Sequence, residues 1–459
     1  MSSPEPIPHV PALYWTWPFA LLLLCIAVLP LFRKTADWWH HNRNKLLVAI
    51  SLGLVTLGYY QFRGYGFSHG AHTAAPGLAT LLQVLHFALL REYVPFMSFL
   101  FALYVIAGGI AVKGDIPAHP FTNVVFLAIG GLLANLIGTT GASMLLIRPL
   151  LATNSERKHV AHTVVFFIFI VSNIGGSLLP IGDPPLFLGF LRGVPFLWTL
   201  CLWKEWAFCL VLLLVVYYVW DCRAYRHETV RDIRRDEARV RPLALHGKIN
   251  FFWLAGVILV TASFNPNKHF LGSAWTPPHY LREILQCALV AASLASTPAG
   301  LRRDINFNYA AILEVACLFL GIFVCMQVPL EILISRGAEM GIDTPIKFFW
   351  ATGILSSFLD NAPTYAVLFE TANALTHQPG DGVIQLLSGH YIRQDHLVAI
   401  SLGAVFMGAN TYIGNGPNFM VRTIAEHEGV HMPSFFGFLL YSLAILIPLF
   451  VLITMFFLT

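Results

Sequence analysis

Apolar blocks of about 20 residues, the length a helix needs to cross roughly 30 Å of hydrocarbon, recur along this 459-residue chain from end to end. Four of them are interrupted by short polar stretches rich in Gly and Pro: NLIGTTGAS (135–143), SNIGGSLLPIGDPP (172–185), SSFLDNAPT (356–364) and GANTYIGNGPN (408–418). In lipid every backbone N–H and C=O must find a partner inside the protein, so unwound backbone survives only where it is buried or lines a wet cavity. One such break reads equally well as a proline kink. Four, at corresponding places in two halves, read as the lining of one site.

Only 11% of the residues are charged, against about 25% in soluble domains, too few to cover a water-exposed surface. The seven cysteines lie in or beside apolar blocks without a C-x-x-C pair, so neither disulfides nor a resident metal site is expected. No Lys or Arg precedes the first apolar block, and that block is expected to be a retained span rather than a cleaved leader. No H-E-x-x-H, G-x-S-x-G or phosphate-loop motif occurs, so no enzyme is expected.

The expected spans are 14–32, 44–62, 93–112, 120–153 (broken), 160–190 (broken), 204–222, 250–265, 281–298, 308–326, 345–376 (broken), 397–423 (broken) and 434–458. The stretch 77–91, with Gln83, His86 and Arg91, reads as interfacial or a lead-in. The basic loop 223–249 is cytoplasmic by the positive-inside rule. Most other basic clusters (Arg33, Lys34, Arg43, Lys45; Lys113; Arg157, Lys158; Arg302, Arg303; Arg422) fall on the same side if 120–153 and 345–376 are re-entrant hairpins. Arg63, Arg192 and Lys268 then lie outside.

The two halves repeat. GTTGASMLLIRPLL from Gly138 matches DNAPTYAVLFETAN from Asp360, an offset of 222 (360 − 138), and LLPIGDPP matches NTYIGNGP at an offset of 232 (417 − 185). The expected fold is all-α and polytopic: two inverted repeats, each with a re-entrant hairpin and a broken transmembrane helix. The divisions are 1–43 (N-terminal span and cytoplasmic loop), 44–222 (repeat 1), 223–249 (basic linker), 250–280 (extra span and loop) and 281–459 (repeat 2). Inverted repeats with broken helices are a hallmark of secondary transporters, whose sites sit near the midplane.

Asp183 and Asp360 are the acids inside the breaks. An ionised carboxylate within a span costs at least about 2.5 kcal/mol, which favours a cation or proton site; the alternative is a cap on a half-helix N-terminus. Freed carbonyls and neutral oxygens of Asn135, Thr139, Thr140, Asn173, Asn361, Thr364, Asn410 and Asn415 suit a hard cation. Glu314, alone in its span, reads either as a proton carrier or as a helix-end glutamate near the interface. Arg148 and Glu370 share the 222 offset (370 − 148) and read as gate charges, substrate contacts or, individually, snorkelling side chains. His159 and His162 read as interfacial decoration or a pH sensor.

At these breaks the chain resembles the ion transporter superfamily of sodium/proton antiporters, arsenite exporters and citrate and dicarboxylate carriers. It is most similar to NhaD-like sodium/proton antiporters, a group that includes proteins labelled as citrate transporters. The resemblance covers roughly 90–455. It rests on Asp360-Asn361-x-Pro363 and on the spacing from Asn173 through Gly175 and Gly176 to Asp183. It implies that Asn173, Asp183, Asp360 and Asn361 are cation-site residues. Gly138 and Thr139 stand where those antiporters carry an Asp-Asn pair, and Pro184 and Pro185 where they carry a Thr pair.

The expected activity is secondary active transport, sodium/proton antiport across the inner (plasma) membrane. The alternative is a sodium-coupled carrier of citrate or another small carboxylate, and a membrane-embedded enzyme ranks last. No cofactor is expected beyond transported Na⁺ and H⁺. Neither is a nucleic-acid partner; lipid surrounds the chain, and a homodimer is one assembly it allows.

Overall fold

The computed structural model describes residues 10–69, 72–231, 233, 236, 240–266, 275–304, 307–336, 339, 341–376, 378–387 and 389–459. The apolar blocks form helices. The first half holds α1 (Trp17–Val28), α2 (Asn42–Phe62), α3 (Leu78–Ala107), strand β1 (Ala111–Asp115), α4 (Pro120–Thr153), α5 (Ala161–Ile170), α6 (Pro184–Leu191) and α7 (Phe196–Tyr225). Strand β2 (Arg241–His246), α8 (Ile249–Ser263) and α9 (Leu281–Ser296) follow. The second half continues with α10 (Ala310–Cys325), α11 (Gln327–Arg336), α12 (Pro345–Phe358) and α13 (Asn361–Ala374). It ends with strands β3 (Val383–Gln385) and β4 (Tyr391–Arg393), then α14 (Gln394–Met407), α15 (Gly416–His427) and α16 (Phe435–Phe457).

Among the described residues five helices, α2, α3, α4, α7 and α16, are long and apolar enough to cross a membrane, and α10 with α11, bent by 42°, makes a sixth candidate. The other expected spans are shorter helices or are broken. The chain is thus a multi-pass helical membrane protein. The stretch 77–91 belongs to a helix continuous with the following span, through a π-helical turn at His86–Tyr93. That turn ends just before Pro95, which has no N–H to donate to the Arg91 carbonyl.

Helix α4 folds back on itself. Straight, its 34 residues would span roughly 51 Å, well beyond the hydrocarbon core. Instead it breaks at Gly138 (φ 76°, ψ 154°), a conformation open essentially to glycine alone. Its two ends then meet: Asn123 and Asn154 exchange a reciprocal pair of amide hydrogen bonds, each 2.9 Å. Gly138→Ala is expected to lower stability by about 1–3 kcal/mol, read as a fall in the thermal midpoint in detergent. Helices α12 and α13 form the corresponding hairpin, broken at extended Leu359 and Asp360. The Phe348 ring of α12 lies 4.7 Å from the His396 ring at the start of α14, and the end of α13 packs on β4, which leads into α14. Both outer ends of this hairpin therefore lie together.

The outer ends of α4 lie beside a pair of strands. Strands β1 and β2 pair antiparallel, with Asp115 opposite Arg241. Next to them Arg157 donates to the Ala118 carbonyl (3.3 Å) and Arg302 to the Val105 carbonyl (3.2 Å). Lys113, Arg157, Arg241 and Arg302 thus gather with the ends of α4 at one face. At the opposite face Arg63 pairs with Glu331 (2.7 Å), and the Leu387 N–H donates to the Gly193 carbonyl beyond α6 (2.8 Å).

The helices pack in two groups: α1, α2, α3, α8, α9 and α10 in one, and α4–α7 with α12–α16 in the other, joined by contacts of α3 with α4 and of α11 with α13.

Candidate functional site

The four breaks meet. The Thr139 N–H, just past Gly138, donates to the Gly182 carbonyl (2.8 Å), and the Leu178 N–H donates to Asn135 Oδ1 (2.7 Å). These bonds tie the first break to the second. The third is tied to the fourth by Asn410, whose amide donates to Ser357 Oγ (2.8 Å), and by the Thr411 hydroxyl on the Ser357 carbonyl (2.5 Å). Inside the second break a Cβ on Gly182 would lie 2.2 Å from the Gly176 carbonyl; inside the fourth, one on Gly414 would lie 2.5 Å from the Gly408 carbonyl. Both pairs are related by the offset of 232 (408 − 176; 414 − 182), so these glycines permit the same close crossing of backbone twice.

The same offset relates Asp183 and Asn415 (415 − 183). Each has an extended backbone (φ −143°, ψ 144° and φ −152°, ψ 140°) immediately before a Pro-containing half-helix, and neither side chain caps that helix. Both are free to turn toward the centre.

The Asp183 carboxylate is 2% exposed and takes donors from the other three breaks. The Thr139 hydroxyl donates to Oδ1 at 2.8 Å, Asn361 Nδ2 to Oδ2 at 2.7 Å, and Asn415 Nδ2 to Oδ1 at 3.2 Å. Asn415 Nδ2 also faces Asn173 Oδ1 and the Ser172 carbonyl, both at 3.1 Å, so two amide hydrogens serve three acceptors. Asn173 in turn donates to Asn418 Oδ1 (2.7 Å) and the Ile168 carbonyl (2.8 Å). The Asn418 amide is anchored on the Gly408 and Thr411 carbonyls (2.9 and 2.8 Å). No Lys, Arg or His among the described residues hydrogen-bonds to Asp183. Two buried oxygens here, Asn361 Oδ1 and Asn410 Oδ1, have no hydrogen-bond partner among the described residues.

Of the residues singled out in the sequence, Asp183, Thr139, Asn173, Asn361 and Asn415 come together. Asn135 and Asn410 brace the breaks one bond further out. Asp360 does not join them: its Oδ1 accepts the Ala362 N–H (3.1 Å) as the N-cap of α13, and Thr364 donates to its backbone carbonyl (3.0 Å). Thr140, half-buried, makes no side-chain hydrogen bond among the described residues. Glu314 lies elsewhere, half-exposed between α10 and α2, paired with buried Lys45 at 2.7 Å. Glu370 pairs with Arg192 (3.1 Å). Arg148 has no hydrogen bond or ion pair among the described residues. His162 pairs with Asp221 (2.9 Å), and the His159 N–H donates to Glu228 (2.9 Å).

Asn418 is the participant that sequence reasoning missed. It closes the fourth polar stretch, two residues past the half-helix start, where its contact with Asn173 joins positions 245 residues apart.

Residues 9–458 match the model of a protein family described as "Putative citrate transport". No curated protein matched in sequence. With nearly its whole length covered, the chain belongs to this family, a family of membrane transporters.

Proposed function

We propose that this chain is a secondary transporter of the inner membrane that exchanges Na⁺ (or Li⁺) for protons at Asp183. The observation that carries the reading is the convergence of donors from three breaks on one buried carboxylate with no basic side chain against it. A buried acid without a cationic partner pays a desolvation cost that a bound cation or proton removes. An anion would want the opposite charge here.

The arrangement implies a specific movement. Two amide nitrogens now point at the carboxylate, and a cation would need oxygens in their place. Rotation of the Asn361 amide brings its unpartnered Oδ1 toward Asp183. A buried unpaired carbonyl costs about 1–3 kcal/mol, which the cation would relieve. Thr139, Asn173, Asn415 and the backbone carbonyls of the breaks supply further oxygens. The repeat-related glycine crossings support an inverted repeat whose two hairpins open to opposite sides, with the basic face cytoplasmic. The hairpin-bearing group would then rock to expose Asp183 to each side in turn.

The runner-up is a sodium-coupled carrier of citrate or a similar carboxylate. The family description favours it, and half-buried Arg148, unpartnered among the described residues, would be its anion contact. Inside-out vesicles separate the two. Relief of acidification by Na⁺ alone supports exchange, whereas Na⁺-dependent uptake of labelled citrate supports the carrier.

Asp360→Asn discriminates between the acids. Asn caps a helix as well as Asp, so thermal stability should stay within about 0.5 kcal/mol. If Asp183 is the exchanging group, this variant retains transport at a level at least tenfold above Asp183→Asn, roughly 1.4 kcal/mol in the relevant equilibrium. Equal loss in both would make Asp360 an equal partner in the site.

A further inference from the structure

Arg192 ends α6 at the face opposite the basic loop. Its Nη2 donates to Glu92 Oε1 at 2.9 Å and its Nε to Glu370 Oε1 at 3.1 Å. Gln327 donates to the other Glu92 oxygen (2.9 Å), and Asn373 to the other Glu370 oxygen (3.4 Å). The Arg192 and Glu370 side chains are only 9% and 11% exposed. Two carboxylates, that of Glu92 20% exposed, thus share one guanidinium in a mostly buried place. As a stabilising device this is a poor arrangement: desolvation offsets most of the gain of a buried ion pair, and the second carboxylate has no cation of its own.

The cluster joins the two groups of helices. Arg192 and Glu370 sit on α6 and α13 of the hairpin-bearing group; Glu92 lies in the π-helical turn of α3, and Gln327 starts α11, which continues α10. Beside it, at the same face, lies a cleft of about 310 Å³ lined by Ile334, Asn373, Ala374, Thr376, His390 and Tyr391. Asn373 is both a wall of the cleft and the partner of Glu370. The repeat mate of Glu370 at the other face, Arg148, is unpartnered among the described residues. The bundle is therefore bound across its two groups by charge at the cleft side.

We infer that this cleft is the outer mouth of the transport path and that Arg192, held between Glu92 and Glu370, is the latch that closes it. Opening separates Arg192 from Glu92 while its bond to Glu370, within one group, persists. The inference rests on the chain being a carrier that opens to alternate sides, whichever solute it moves.

Glu92→Cys combined with Arg192→Cys, joined through mixed disulfides by a short bis-methanethiosulfonate in reconstituted vesicles, tests it, with the wild-type chain and its own seven cysteines as control. Joining is expected to stop transport, whether of Na⁺ against protons or of citrate, and reduction to restore it. Full transport after complete joining would overturn the latch. If the pair of substitutions is inactive before joining, a cysteine at Thr364, on the hairpin tip, gives a second readout. Its labelling by an impermeant thiol reagent from the outer side should be about tenfold faster with Glu92→Gln than with Glu92, the worth of one lost charge-assisted hydrogen bond; equal rates would overturn the proposal. Labelling needs no knowledge of the solute, so failure to move either Na⁺ or citrate would count against the proposed function and leave the latch to its own test.

Discussion

Asp183→Asn is expected to abolish coupled transport in a protein that still folds. The substitution keeps the shape of the side chain and removes the carboxylate on which donors from the other three breaks converge. Losing a charge-assisted contact costs a bound cation about 1.5–3 kcal/mol, or ten- to a hundredfold in affinity. Exchange suffers more, because Asn offers no group on which a proton can replace the cation. Stability falls less. Three donors face the Asp183 oxygens, and an Asn amide sets one NH₂ against a donor, a conflict worth about 1–3 kcal/mol. Turning Asn361 so that its unpartnered Oδ1 accepts from the new NH₂ would relieve part of it. Transport measured at matched amounts of folded protein separates the two effects. Retained exchange in this variant would remove Asp183 from the mechanism.

Asp221→Ala should produce the larger loss of stability. Asp221 is fully buried at the end of α7 and accepts from four side chains: Arg157 (Nη2 at 2.5 Å, Nη1 at 3.1 Å), His162 (2.9 Å), Tyr217 (3.1 Å) and Asn123 (3.2 Å). Asn123 is half of the amide pair that closes the α4 hairpin. Removing the carboxylate leaves the Arg157 guanidinium buried beside a Glu228 oxygen 4.0 Å away, and stranding one partner of a buried pair costs about 3–5 kcal/mol. A comparable fall in unfolding free energy, or failure to accumulate in the membrane, is expected. Arg157→Met together with Asp221→Leu should recover much of the loss, since an apolar pair of similar volume often equals a buried ion pair. If Asp221→Ala is as stable as the wild type but inactive, the cluster belongs to the transport machinery instead.

These two acids mark what the sequence could and could not reveal. Asp183 stands out because it lies in a Gly- and Pro-rich interruption of an apolar block, and its repeat mate Asn415 is found by counting. The α4 hairpin was likewise legible from charge parity and is visible in the Asn123–Asn154 pair. Asp221 carries no such mark: beside a basic loop, it reads as an ordinary helix-end acid, and only folding brings Asn123, Arg157 and His162 to it. Asp360 shows the opposite difficulty. An acid before Asn-Ala-Pro satisfies the pattern of a helix cap and that of a cation ligand equally, and only the direction of the side chain, toward the Ala362 N–H, separates them. Asn418 and the Glu92–Arg192–Glu370 cluster stayed hidden because their partners lie far away along the chain, Arg192 and Glu370 being 178 residues apart. Glu92 follows residues that read as a lead-in, yet it sits in a continuous helix, bonded to Arg192 and Gln327.

The central claim, that one carboxylate holds a cation and a proton by turns, is tested most directly by sodium-driven proton movement in vesicles that contain only the purified protein and no carboxylate. A proton and Na⁺ competing for Asp183 make the apparent Na⁺ affinity weaken as pH falls, because the protonated acid cannot bind the cation. The expected result is proton movement on imposing a Na⁺ gradient, with that pH dependence in the wild type. A Na⁺ affinity independent of pH, with Na⁺ moving only when citrate is supplied, would contradict it.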